Sequence, residues 1–95
     1  MAEGFYYGTV SRGTLNTVHL LRRFGKHLAY QADNPADRAL AGEAISAAAI
    51  ELDDQNLLES VMAVLETYAP AGHYFGAHPG DGSDFGFWPI EGDVA

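Results

Sequence analysis

The stretch His73-Tyr-Phe-Gly-Ala-His-Pro-Gly-Asp-Gly-Ser-Asp-Phe-Gly-Phe-Trp-Pro-Ile90 decides the fold of this chain. Two aromatic runs flank a Pro79-Gly80-Asp81-Gly82 turn, which predicts a β-hairpin over about 73–90. A lone hairpin is marginal in water and needs a third strand or a covering helix. The aromatic and β-branched run Phe5, Tyr6, Tyr7, Thr9, Val10 predicts that strand over about 5–11, with Gly4 and Gly8 keeping it short and at an edge.

Three helices are expected between these strands. Leu15, Val18, Leu21, Phe24 and Leu28 recur at steps of three and four, which predicts a helix over about 14–30 with Thr14 as its cap. Arg22, Arg23 and Lys26 lie on its other side, and Gly25 costs it about 1 kcal/mol relative to Ala. Asn34-Pro35 starts a second helix, about 35–51, with Asn34 as cap, Pro35 at its first position and Asp37 in the first turn. Its run from Ala44 to Ala49 is nearly all small, so another helix can approach closely and this helix is expected to be central. Asp53 or Asp54 starts the third, about 54–68, with Leu57, Leu58, Val61, Met62, Leu65 and Tyr68 facing inward and Pro70-Ala71-Gly72 ending it. The expected fold is α+β: one domain over 1–95, a three-helix layer packed on a small antiparallel sheet made from the N-terminal strand and the C-terminal hairpin.

Charge is divided sharply along the chain. All five bases (Arg12, Arg22, Arg23, Lys26, Arg38) fall in the first thirty-eight residues, beside three acids. After Arg38 there is no lysine or arginine, and ten acids follow: Glu43, Glu51, Asp53, Asp54, Glu59, Glu66, Asp81, Asp84, Glu91 and Asp93. The net charge of −8 opposes direct binding to nucleic acid or to an acidic membrane, and favours a basic protein surface. Glu59 and Glu66 are seven apart on the third helix, hence nearly in line, about 10 Å apart. Surfaces shaped only for solubility usually mix both signs. Glu43, Glu51, Asp53, Asp54, Glu59 and Glu66, with Asp81, Asp84 and Trp88, are therefore the candidate partner-binding residues. Duplex DNA carries about one charge per 1.7 Å, a density this chain does not match.

Catalytic and metal signatures are weak. The absence of cysteine excludes disulfides, thiolate metal sites and a cysteine nucleophile. A small secreted domain is usually stapled by disulfides, so a cytoplasmic setting is expected. The N-terminal residues lack the pattern of a signal peptide, and no run approaches the roughly 20 apolar residues that span a bilayer. His73, His78, Asp81 and Asp84 place cation-ligating groups in one segment, but without the bidentate glutamate of a calcium loop, and a solvated turn competes with a metal or small-ligand module. Phosphate binding is disfavoured, since two aspartates flank these glycines and no lysine or helix follows. His19 and His27 share a helical face with the basic residues, where solvation is the ordinary outcome. No catalytic residue, metal or cofactor is expected, and the chain reads as non-enzymatic. Trp88, with Phe85, Phe87, Tyr74 and Phe75, belongs either to the core or to an exposed anchor for a protein partner.

The segment Tyr74 to Trp88, preceded by a leucine-rich helix and Ala69-Pro70, resembles the C-terminus of short uncharacterised proteins encoded by phages and mobile elements. The resemblance covers roughly the last forty residues, and its final fifteen are its most specific part. It implies no catalytic residues. It does imply a context in which small acidic proteins resemble anti-CRISPR proteins and DNA mimics, inhibitors of host defence. The expected partner is then a basic nucleic-acid-binding host protein or complex, met in the host cytoplasm. A homodimer, in which the basic stripe of one copy meets the acids of another, is the other possible assembly.

Overall fold

The structure, a computed structural model, describes residues 8–90. The expected α+β fold is present. In chain order the elements are β1 (Gly8–Ser11), α1 (Thr17–Gln31), α2 (Pro35–Ala49), α3 (Gln55–Thr67), β2 (His73–His78) and β3 (Asp81–Pro89). The expected strand residues Phe5, Tyr6 and Tyr7 lie outside the described residues. The antiparallel sheet has the order β1-β3-β2, so the N-terminal strand closes on the far side of the hairpin's second strand.

Each helix opens on an Asn or Asp whose side chain accepts a backbone N–H of the first turn. Asn34 accepts from Asp37 at 2.9 Å, with Pro35 at the first helical position, and Asp54 accepts from Leu57 at 3.0 Å. The start of α1 departs from expectation. Asn16, not Thr14, is the cap and accepts from His19 at 3.1 Å. Thr14 instead accepts the N–H of Asn16 one step earlier, so Leu15 falls outside the helix and is exposed.

The central helix is α1, not α2. Its Leu20, Leu21, Phe24 and Leu28 are buried against α2, α3 and the sheet together. Phe24 meets Phe75 and Phe85 edge to face, with ring centroids 5.1 and 5.5 Å apart. Behind it, Gly25 lies against α2: a Cβ there would stand 3.0 Å from the Ala44 Cβ and 3.2 Å from the Ala41 carbonyl oxygen. The alanines of α2 thus serve a close approach to α1, while α2 itself has no contact with the sheet. The third helix covers β2 with Leu57, Leu58, Val61 and Leu65 buried. Each such Leu or Phe, once fully buried, contributes about 1.5–3 kcal/mol.

The connection between α1 and α2 is tied to the end of α3 by Tyr68. Its single O–H donates to Asp37 at 2.6 Å, with the Asp33 carboxylate also within reach at 3.1 Å, and its oxygen accepts the Asp33 N–H at 3.3 Å. Two carboxylates around one phenol make its ionisation costly, and the Asp37 bond, as the main cause, pushes its pKa up to about 12.

The open edge of β2 is partly covered by the protein's own groups. Pairing alternates along an antiparallel strand. Ile90 donates to Gly72 across the hairpin, so the backbone groups of His73, Phe75 and Ala77 face outward. The Phe75 N–H donates to Glu66 of α3 at 3.1 Å, the Ala77 carbonyl accepts from the Tyr74 hydroxyl at 2.7 Å, and the His73 N–H donates to Pro70 at 3.0 Å. Unpaired edge groups otherwise template aggregation.

Gly86 of β3 faces β1 so tightly that a Cβ would overlap the Gly8 carbonyl. Gly86→Ala is therefore expected to lower stability by about 1–3 kcal/mol by prising β1 from β3, read as a lower urea midpoint; an unchanged midpoint refutes this packing. A second expectation concerns alkaline pH. The Tyr68 phenol titrates above its ordinary value of 10, so its bonds stabilise the fold fully below pH 10 and are lost as pH rises through about 12. Selective 13C labelling of the tyrosine ring should find Tyr68 titrating well above pH 10, and Tyr68→Phe should flatten the alkaline limb of the stability curve.

Candidate functional site

The sequence nominated nine partner-binding residues, and the fold gives them unlike surroundings. Glu43 on α2 and Glu59 on α3 are exposed, with free carboxylates. Glu51 and Asp53, in the link between α2 and α3, are exposed as well. Asp54 is half-buried and occupied as the cap of α3. Glu66 is exposed but holds the Phe75 N–H, so its carboxylate is shared between solvent and the sheet edge. Asp81 is exposed and accepts from the backbone and hydroxyl of Ser83 at 3.0 and 2.9 Å. Those bonds, the backbone one foremost, hold its carboxyl below the usual carboxylate range.

Asp84 does not belong with the exposed acids. It is 4 % exposed, accepts from the Thr9 hydroxyl at 2.8 Å and forms an ion pair with Arg12 at 3.2 Å. The reason is an irregular hairpin. Ala77 pairs with Phe85 but His78 pairs with Asp81, so Gly82, Ser83 and Asp84 bulge out of the β2 ladder. The bulge turns toward β1, where Gly13 donates to the Ser83 carbonyl at 3.2 Å.

The same bulge disperses the imagined metal loop. His73 bonds the Ala71 carbonyl, His78 accepts from Gly80, Asp81 bonds Ser83 and Asp84 faces Arg12. Among the described residues no group of three or more His, Asp or Glu is placed to hold a metal ion. Trp88 is half-buried: its indole donates to the Gly76 carbonyl at 3.0 Å and its ring meets His78 edge to face at 4.7 Å. The core aromatics are Phe24, Phe75 and Phe87, with Phe85 beside them. Trp88 and its cross-strand neighbour Tyr74 take the other face of the sheet.

One recess was not anticipated from the sequence. A cleft of about 390 Å³ is lined by Asn16, Val18, His19 and Arg22 of α1 and its cap, and by Glu51 and Asp53 of the α2–α3 link. Arg22 donates to the Ala48 carbonyl at 3.3 Å, supplying the positive charge that the end of α2 lacks on its own residues. Helix α2 ends in a paired cap: Glu51 donates to Ala48 at 3.0 Å and Leu52 to Ala47 at 2.9 Å. Glu51 there has φ of 56°, the one described non-glycine residue in the left-handed region. Glycine is the usual occupant of that position.

Among the described residues, Arg12–Asp84 is the one ion pair within 4 Å. Arg22, Arg23, Lys26 and Arg38 therefore form no ion pair with the described carboxylates, although Arg22 lines the same cleft as Glu51 and Asp53. His19 is exposed, as expected, but His27 is not a solvated group. It packs against Phe87 at 5.5 Å and bonds Gln31 at 3.0 Å. Burial lowers its pKa from the ordinary 6.5, against the opposing effect of the Gln31 bond.

With the folded value below the unfolded one, the neutral His27 stabilises the protein above pH 6.5, and that stability is lost as pH falls through the folded value. Melting temperatures between pH 7 and pH 5 are expected to fall, and His27→Gln to reduce that fall; an identical pH profile in the variant refutes the assignment.

No helix of the described residues is long and apolar enough to cross a membrane. No family model, no curated protein and no solved structure matches this chain.

Proposed function

We propose that this chain is a non-enzymatic acidic binding protein of phage or mobile-element origin, acting in the host cytoplasm. It occupies a basic, nucleic-acid-binding surface of a host defence complex, as anti-CRISPR proteins and DNA mimics do. One observation carries the reading. Glu43, Glu51, Asp53 and Glu59 are exposed on the helical half of the molecule, and none has a cation within 4 Å. Carboxylates outside ion pairs keep a field for an approaching basic surface, reduced at Glu51 and Asp53 by Arg22 in the same recess, and attract it over a distance set by the salt concentration. Asp54 and Glu66 add to that field while serving the fold. Asp84 is neutralised by Arg12 and contributes nothing to it. Asp81 and Trp88 stand at the hairpin, where an aromatic side chain beside an acid suits slow release.

The double variant Glu43→Lys/Glu59→Lys changes four units of charge at residues whose side chains make no hydrogen bond in the fold. The native protein is expected to recover a nucleic-acid-handling complex from a host lysate, with recovery falling as salt rises. Affinity for that complex is expected to drop roughly tenfold or more in the variant at low salt, with a shallower salt dependence. Duplex DNA should compete with the native protein for the same complex. Unchanged affinity with an unchanged circular dichroism spectrum disposes of the proposal. Salt-sensitive dimerisation in sedimentation, with no partner recovered, replaces it with self-association.

A further inference from the structure

We propose that β2 is a latent self-pairing edge, and that Glu66 and Tyr74 keep it shut against a second copy of this chain. The outward backbone groups of β2 divide into two sets. The Phe75 N–H donates to Glu66 at 3.1 Å, and the Ala77 carbonyl accepts from the Tyr74 hydroxyl at 2.7 Å. The Phe75 carbonyl and the Ala77 N–H have no hydrogen-bond partner among the described residues.

The two open groups complement each other. Facing residues of a hydrogen-bonded antiparallel pair exchange both N–H···O bonds. With a two-fold axis at Gly76, Phe75 stands opposite Ala77 of the second copy, and each Ala77 N–H meets the other copy's Phe75 carbonyl. The second bond of each pair joins the two groups that Glu66 and Tyr74 now hold. An axis one residue earlier would set Phe75 against itself, and each open carbonyl would meet a covered N–H. The Gly76 register therefore selects a second copy as the occupant, in a two-fold interface that joins two three-stranded sheets into one of six. Gly76 puts no side chain at the axis. On the outer face Tyr74 lies opposite the exposed His78 of the other copy, and cross-strand ring pairs are favourable.

Glu66 opposes this pairing in two ways. Its carboxylate takes the Phe75 N–H, where the second copy's Ala77 carbonyl would bind. The two-residue offset also brings the Glu66 carboxylates of both copies to roughly 7 Å from each other, where like charges repel. Charges placed at a sheet edge are a common defence against such pairing. The double variant Glu66→Ala/Tyr74→Phe removes both covers. Glu66 is exposed, alanine is the best helix former and phenylalanine keeps the ring, so the fold is retained.

Sedimentation is expected to find the native chain monomeric, and the double variant in a concentration-dependent monomer–dimer equilibrium that survives high salt. Amide hydrogen exchange in the native chain is expected to be slow at Phe75 and fast at Ala77. In the double variant, Ala77 exchange should slow roughly tenfold or more as concentration rises. Adding Ala77→Pro deletes only an outward N–H, a change that edge strands tolerate, and is expected to restore the monomer. A double variant that stays monomeric with an unchanged circular dichroism spectrum overturns the proposal. So do a dimer in which the Ala77 amide stays fast, a dimer that survives Ala77→Pro, a dimer that dissolves in salt, and equal dimerisation of the native chain. Slow exchange at Ala77 in the native monomer overturns it without any variant, since that group is then not open.

Discussion

The close approach of α1 to α2 at Gly25 is the constraint on which the rest of the molecule depends. With the Ala44 and Ile45 side chains and the Ala41 carbonyl against a residue that has no side chain of its own, α2 can lie flat on the back of α1. That leaves the front of α1 free, and Phe24 fills it, meeting the rings of Phe75 and Phe85. The chain is short, and a protein of this size buries a modest fraction of its surface. Making one helix serve α2, α3 and the sheet at once is how such a small core becomes continuous. Gly25 is costly to an isolated helix, and that local loss is offset by tertiary packing.

The same arrangement sorts the charges. Because α2 lies behind α1 and away from the sheet, Glu43 and the link carrying Glu51 and Asp53 stay at the outside of the helical half. The sheet half keeps the Arg12–Asp84 pair. Arg22 is the one base brought into the recess beside the acidic link, and it is engaged with the end of α2. The asymmetry visible along the chain therefore survives folding in the helices, and is partly cancelled at the hairpin.

Much of this was legible in the residues. Asn34-Pro35 and Asp54 cap their helices as their types dictate, since a short side chain that accepts from the first turn leaves few other readings. The aromatic runs around Pro79-Gly80 specified the hairpin, and Gly8 beside β-branched residues specified its edge neighbour. The start of α1 was ambiguous because Thr14 and Asn16 are both good caps and Leu15 fits the helical period by chance. The run of alanines in α2 announced a close contact, but a contact has two sides, and only packing shows that the partner is central. The tasks of Glu66, Asp84 and Tyr68 were hidden for a different reason. Each bonds a group between 9 and 75 positions away, and no local period encodes such a pairing. The site was legible as a composition of acids, while the cleft depends on how α1 meets the α2–α3 link.

The partly covered flank of β2 has a consequence for recognition. Many proteins are captured by a partner whose extended segment joins their sheet as an extra strand, using the free amides and carbonyls at its border. Here the His73 and Phe75 amides and the Ala77 carbonyl are already engaged by Pro70, Glu66 and Tyr74, so a ligand pairing along the whole edge would have to displace a carboxylate and a phenol. Strand addition along β2 is thereby handicapped.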